Sequence, residues 1–365
     1  MTRRKAVVAM SGGVDSSVAA ATLVADGFDV TGIMLKLWRG ESANTASGCC
    51  NVGAAEDARR VADVLDIPFY VLNLADRFED SVVKDFHHAY ATGKTPNPCV
   101  RCNQWVKFDA LFERAMALGA DVLATGHYAR VEQRDGRFRL LRGRDERKDQ
   151  SYVLWMLTQH ELARSCFPVG EHDKAETRRI ATELGLRTAT KPDSQEICFV
   201  PAGDLDAYVG EKMPAAARPG PIVDSGGRVL GEHRGIGRYT VGQRKGLGIS
   251  VGVPLFVTEV DAHANAVVVG PRDELTVSEL TVDEVVFEAE IPEAGIEVFI
   301  QHRAHGEVAP GILHPQGRSR AVVRYHDPVE AVAPGQSAAF YDASAPDELI
   351  GGGIISATVA ATAVA

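Results

Sequence analysis

No run of about 18 apolar residues occurs in the chain, so no stretch reads as a membrane-spanning helix. The charged opening Thr2-Arg3-Arg4-Lys5 runs directly into a glycine turn, with no secretory cleavage site between them. These two absences predict a cytoplasmic protein with no membrane partner. Excess positive charge is missing too: the net charge is −10, which excludes a generally sticky nucleic-acid binder and confines any RNA contact to local patches. Cysteines number only six in 365 residues, too few and too scattered for a disulfide scaffold, so metal binding or redox chemistry is expected of them. No internal repeat is present. Two familiar nucleotide loops are also lacking, since neither G-x-x-x-x-G-K-[ST] nor G-x-G-x-x-G can be found.

What stands in their place is Lys5 to Ser17, KAVVAMSGGVDSS. An apolar run, Ala6 to Met10, passes through Gly12 and Gly13 into a stretch with apolar residues at helical spacing as far as Gly27. A strand that enters a helix through glycines leaves several backbone N–H groups without intrahelical partners, and the helix dipole adds positive character at the same point. The turn is therefore an anion cradle suited to phosphate. Its S-G-G-V-D-S core resembles the PP-loop pyrophosphatases, which cleave ATP between the α and β phosphates. That resemblance implies that Ser11, Ser16 and the amides hold pyrophosphate and that Asp15 coordinates a magnesium ion.

A chain this long predicts two or three domains, and 45% hydrophobic with 24% charged residues describes a globular protein with ample core. Strand-like runs at Asp29 to Trp38, Pro68 to Leu74 and Asp121 to Tyr128 alternate with helical patterns at Ala54 to Leu65, Phe78 to Tyr90 and Lys107 to Leu118. Such alternation implies a parallel sheet whose ligand sits at the carboxyl ends of the strands, gathering Ser11 to Ser16, the backbone near Met34, and Gly126-His127. Asp135-Gly136 marks a hairpin, and Arg134 to Lys148 holds seven Arg/Lys against three Asp/Glu, read either as a solvated surface or as an RNA-facing patch. Near Pro192 the alternation stops, and glycine-rich, short alternating runs follow. The expected architecture is α/β: a parallel-sheet, HUP-like PP-loop catalytic domain (1–201), a small β-rich domain (202–272) and a C-terminal β-barrel-like domain (273–365).

The cysteines are Cys49, Cys50, Cys99, Cys102, Cys166 and Cys198. Cys99-Val100-Arg101-Cys102 reads as part of a proline-containing loop, and Asp193 to Phe199, DSQEICF, as a second loop. Beside an ATP site, two distant loop thiols suggest that ATP adenylates a substrate oxygen, one thiol carries sulfur as a persulfide, and the other releases it by forming a disulfide. Three other readings stand beside this one. Cys99 and Cys102 suit half of a zinc site completed by Cys49-Cys50 or His87-His88. Cys99, Cys102 and Cys198 suit an iron–sulfur cluster with one open iron. Buried packing suits Cys166 and Cys49.

Seven motifs in order, SGGVDSS, GCCNVGAAEDARRVAD, TPNPCVRCNQWVKF, ATGHYAR, KDQSYVLWML, DSQEICFV and HRGIGRYTVGQRKGLG, together resemble the bacterial tRNA-specific 2-thiouridylases. The resemblance implies ATP-dependent thiolation of carbon 2 of the wobble uridine in the tRNAs for Lys, Glu and Gln. The sulfur would come from a relay protein or a cysteine desulfurase. It also implies residue roles. Ala9, Met10, Ser11, Gly12, Gly13, Val14, Asp15, Ser16 and Gly126 fall on ATP-binding positions, with Met34 where backbone meets adenine. Cys102 falls on the nucleophile and Cys198 on the persulfide carrier. Asn97, Pro98 and Cys99 match the part that approaches the target base. Lys148, Asp149, Gln150, Arg324 and Tyr325 match tRNA contacts. Carbon 2 of a stacked base is out of reach, so the anticodon loop would be splayed into the pocket. Rival expectations are a PP-loop ligase or amidotransferase acting on a small carboxylate, and a non-catalytic nucleotide-sensing RNA-binding module.

Overall fold

A computed structural model describes residues 3–38, 52–193, 197–200, 204–288 and 293–361. Cys49, Cys50 and the middle of the DSQEICF motif, 194–196, lie outside the described residues. The chain forms two compact units that are not contiguous in sequence. One comprises Met1–Val82, Cys99–Gly203 and Asp347–Ile350, the other Val83–Pro98, Asp204–Pro346 and Gly351–Ala365.

The first unit is organised by a five-stranded parallel sheet. Its strands are β1 (Lys5–Ala9), β2 (Asp29–Lys36), β3 (Phe69–Asn73), β4 (Val122–Ala124) and, beyond a hairpin of β5 (Ala129–Arg134) and β6 (Arg137–Arg142), β7 (Ser165–Cys166). The spatial order is β3-β2-β1-β4-β7, so the chain leaves β1 toward one edge and returns to its other side. β1 is thus the strand where the winding reverses, and the crevice at its carboxyl end is where such sheets take ligands.

Helix α1 (Val14–Ala25) follows β1. Its Ala19-Ala20-Ala21 run lets it sit close on the sheet, with Val14, Val18 and Leu23 completing the buried face among Val8, Met34 and Ala124. The helix stops because Gly27 takes φ +82°. Gly27 N–H donates to Val24 O and Phe28 N–H to Leu23 O, the paired bonds of a glycine-terminated helix end. In the hairpin, Asp135 (φ +51°) and Gly136 (φ +75°) supply the two left-handed residues that a two-residue turn needs. Residues Asp347–Ile350 return to this unit, where Glu348 and Leu349 pair with Leu141 and Leu140 of β6.

The second unit is β-rich, as expected. A four-stranded sheet has the order β10-β11-β8-β9, from β8 (Gly220–Asp224), β9 (Val229–His233), β10 (Phe256–Asp261) and β11 (Ala266–Gly270). β12 (Thr276–Phe287), β13 (Ile296–Gln301), β14 (Ala309–Pro315), β15 (Arg320–Glu330), β16 (Ser337–Asp342) and β17 (Glu348–Ala360) close into a six-stranded barrel through the β12–β17 pairing. Its inward positions alternate along β15, with Ala321, Val323 and Tyr325 buried. Among the described residues no helix is long and apolar enough to cross a membrane.

Candidate active site

The glycine turn after β1 is shaped by close approach. Gly12 has φ +70°, and a Cβ there would lie 2.2 Å from Ala54 O, so both the dihedral and the space demand glycine. Gly13 caps α1 in extended conformation and accepts from Ser17 Oγ at 2.7 Å and Ser16 Oγ at 3.2 Å. Ser16 Oγ also receives Ser11 N–H at 3.1 Å, which folds the loop over the helix start. Just beyond the neighbouring strand β4, Gly126 lies so near that a Cβ would stand 2.6 Å from Ser16 N. Ala9 to Ser16 and Gly126, far apart in sequence, therefore build one cradle.

Met34 lies on β2, in register with Val71 of β3. Gly32 N–H donates to Pro68 O and Leu74 N–H to Lys36 O, so even-numbered residues of β2 turn their backbone toward β3. Ile33 O receives Met10 N–H, so odd-numbered residues face β1.

Two lysines that the motif reading missed serve the cradle. Lys174 Nζ donates to both oxygens of Asp15, at 2.7 and 2.9 Å, and pairs with Asp193 at 2.8 Å. Lys191 Nζ donates to Gly12 O and Asp57, both at 2.9 Å. A signal for the first was present: Lys174 opens the helix Lys174–Glu183, where the dipole disfavours a cation unless something else holds it. Asp15 further accepts from the Tyr128 hydroxyl at 2.8 Å, and that hydroxyl also reaches Thr177 at 3.0 Å. Burial, then the Asp15 charge, raises Tyr128 far above an ordinary phenol, so it stays a donor. His127 is held well below the usual imidazole range by burial and then by Lys107, and packs neutral against Phe108 and Phe167.

Asp193 is the second hub. Its Oδ2 receives Lys148 at 2.7 Å, and its Oδ1 receives Lys174 and Arg178, the latter at 3.2 Å. Burial pushes its carboxyl up, but the bonds from Lys148 and Lys174 outweigh that and hold it below the usual carboxylate range. Asp193 begins the stretch that leads to Cys198. Beyond it, Val200 N–H closes a turn onto Ile197 O, and Phe199 is buried edge-on against Phe78, with ring centroids 5.7 Å apart.

Cys99 and Cys102 are not in a loop. Pro98–Cys102 is a helical turn with proline first, which tolerates the missing N–H, and it continues as a π-helical stretch, Asn103–Leu111, then Phe112–Ala117. Cys102 is buried, Cys99 exposed and Cys198 half-buried. The short helix α3, the four-residue turn Ala75–Phe78 and third in the chain after Val52–Val64, fastens both cysteine segments. Arg77 Nε donates to Trp105 O at 3.3 Å and its guanidinium pairs with Asp109, while the adjacent Phe78 holds Phe199. Cys102 and Cys198 thus flank neighbouring anchors within the unit that carries the nucleotide loop. Among the described residues, Cys99, Cys102 and Cys198 do not form a metal-holding group. Burial pushes Cys166 up to about 11, as befits a packed thiol at the sheet edge.

The expected RNA-facing residues divide. Lys148 is half-buried in its pair with Asp193. Asp149 is buried, and its carboxylate accepts from Arg142, Gly143 N, Ser151 N and Ser151 Oγ, so it shapes the segment from within. Gln150 exchanges bonds with the Tyr128 backbone, tying this segment to the cradle. The hairpin's charge is largely spent internally: Arg139 pairs with Glu348, Arg142 with Asp149, and nearby Arg144 with Glu171. In the barrel the pleat sends Arg324 outward beside Glu279 and Tyr325 inward, within 3.2 Å of His302.

A reversing parallel sheet with a lysine-buttressed PP-loop, followed by two β domains, defines a HUP-type nucleotide-binding enzyme with appended barrels. Family models agree: a tRNA methyl transferase HUP domain matches residues 4–202, a tRNA methyl transferase PRC-barrel domain 207–271, and an aminomethyltransferase beta-barrel domain 277–355. The relatives carry a different activity in their names. A tRNA-specific 2-thiouridylase MnmA of Clostridium perfringens is 46% identical over 97% of this chain and 99% of its own. Proteins of that name from Geotalea uraniireducens (48%; 97% of this chain, 95% of theirs) and Clostridium beijerinckii (45%; 98% and 100%) are similarly close. The chain belongs to the tRNA-specific 2-thiouridylase family.

Proposed function

We propose that this protein is an ATP-dependent tRNA 2-thiouridylase, acting on carbon 2 of the wobble uridine in the tRNAs for Lys, Glu and Gln. Family membership supports thiolation over the methylation named in the domain descriptions. The observation that carries the chemistry is the pair of cysteine segments fastened to Ala75–Phe78 in the nucleotide unit.

The cradle is proposed to bind ATP through Ala9 to Ser16 and Gly126, with the backbone at Met34 assigned to adenine. Lys174 and Lys191 brace the cradle from behind, through Asp15 and Gly12 O, where a Walker lysine is missing. Magnesium suits one carboxylate plus substrate phosphates, and Asp15 is that carboxylate once Lys174 gives up its oxygens. When bound, the ion would offset charge on the phosphates. The uridine oxygen O2 attacks the α phosphate, and pyrophosphate leaves. The terminal sulfur of a Cys198 persulfide then attacks carbon 2 and AMP departs with the former O2. Cys102 thiolate attacks the Cys198 sulfur, forming a Cys102–Cys198 disulfide and leaving sulfur on carbon 2; an external thiol reduces the disulfide.

A persulfide route is preferred to a cluster because two thiols suffice for it. The sulfur donor is proposed to be a relay protein or cysteine desulfurase, and the setting the cytoplasm. Asn97 to Cys99 are assigned to the target base, Lys148, Gln150 and Arg324 to tRNA, and Asp149 and Tyr325 to holding those contacts from behind. The functional domains are proposed to divide at 201/202 and 272/273. The test is pyrophosphate release and thiolation with purified tRNA: Cys198→Ser should release pyrophosphate in a tRNA-dependent manner and make no thiouridine. Thiolation by that variant would refute the scheme.

A further inference from the structure

One cation in the site is shared between two carboxylates that face different substrates. Lys174 Nζ spans Asp15 on the nucleotide loop and Asp193 on the Cys198 segment. The other oxygen of Asp193 holds Lys148, in the segment assigned to tRNA. The remaining neighbours are fixed. Arg178 is locked to Ala189 O at 2.6 Å and Lys191 O at 3.0 Å besides Asp193, and Lys191 is held by Gly12 O and Asp57. The two lysine heads are the cations Asp193 shares with other parts of the site: Lys174 with Asp15, and Lys148 with the segment assigned to tRNA.

Resting on the function proposed above, we propose that Asp193 is a positioning residue that couples nucleotide binding to tRNA binding by dividing its charge between Lys174 and Lys148. With Asp15 neutralised by the cation that accompanies ATP, Lys174 is left to Asp193. Better satisfied, Asp193 loosens its hold on Lys148, which becomes available to an RNA phosphate. In the reverse direction, a phosphate that takes Lys148 makes Asp193 draw Lys174, which uncovers Asp15. The two directions have the same sign, as linkage requires. Each polyanion therefore binds more tightly in the presence of the other, and both are sensed at Asp193, which precedes Cys198 in the sequence.

The experiment measures tRNA affinity by fluorescence anisotropy at fixed salt and magnesium, with and without α,β-methylene-ATP, and the analogue's affinity with and without tRNA. Wild type should show the same tightening in both directions, about five- to tenfold, at the low end of ordinary coupling. Asp193→Asn should bind tRNA without nucleotide more tightly than wild type, with a coupling factor near one. Lys148→Gln mimics the state in which RNA has taken Lys148, so it should bind the analogue alone more tightly than wild type does and also lose coupling. Independent or antagonistic binding in wild type, or Asp193→Asn that weakens both ligands with its coupling intact, would overturn the proposal. Wild type that binds neither the analogue nor tRNA would contradict the functional reading itself.

Discussion

Gly126→Ala tests the nucleotide cradle most sharply, because the added methyl meets backbone and not a side chain that can swing away. It would lie 2.6 Å from Ser16 N and 2.8 Å from Asp15 C, closer than real Cβ contacts allow. Either β4's end or the first turn of α1 must move by several tenths of an ångström. Overpacking of this kind costs about 1–3 kcal/mol. The displaced atoms form the phosphate cradle, so most of that cost should fall on the bound state, as a loss of about 5- to 150-fold in ATP affinity. Calorimetric titration with a non-hydrolysable ATP analogue measures it. Gly119→Ala is the control: its φ is +80° but nothing lies within 4 Å, so it should lose about 1 kcal/mol of stability and no affinity. Gly126→Ala with ATP affinity within twofold of wild type would refute the packed-cradle argument.

Other consequences are as direct. His302 in the barrel is lowered to about 4 from 6.5, by burial and then by Arg303. The unfolded chain therefore binds the extra proton between these values, so stability rises with pH from about 4 to 6.5, by roughly 3 kcal/mol in all; melting curves across that range should flatten in His302→Gln. Tyr325→Phe removes the bond to His302 and should cost about 0.5–1.5 kcal/mol while leaving the salt dependence of tRNA binding untouched. Arg324→Gln should weaken tRNA roughly uniformly and reduce the slope of log affinity against log salt by just under one, read by anisotropy at several salt concentrations.

Much of the first unit was legible because its signals are local. The strand–glycine–helix passage at Lys5 to Ser17, the Asp135-Gly136 hairpin and the switch to short strands after Pro192 each follow from backbone preferences that the sequence states openly. The helical start at Pro98 was hidden because proline and asparagine also favour loops, and only packing of Val100 and Asn103 decides between them. Lys174 stands 159 residues from Asp15 and Lys191 stands 179 from Gly12, distances no spacing rule spans. Tyr325 shows a different limit. A motif gives the residue, but in a strand the function of its neighbour depends on parity, which hydrogen-bond direction and burial alone reveal.

Sulfur transfer between two thiols is the central claim, and mass spectrometry of nucleosides from cellular tRNA tests it most directly. Cells lacking this protein should lose 2-thiouridine from the tRNAs for Lys, Glu and Gln, regain it with the wild-type chain, and fail to regain it with Cys102→Ser or Cys198→Ser. Full restoration of the thiolated nucleoside by either cysteine variant would contradict the account.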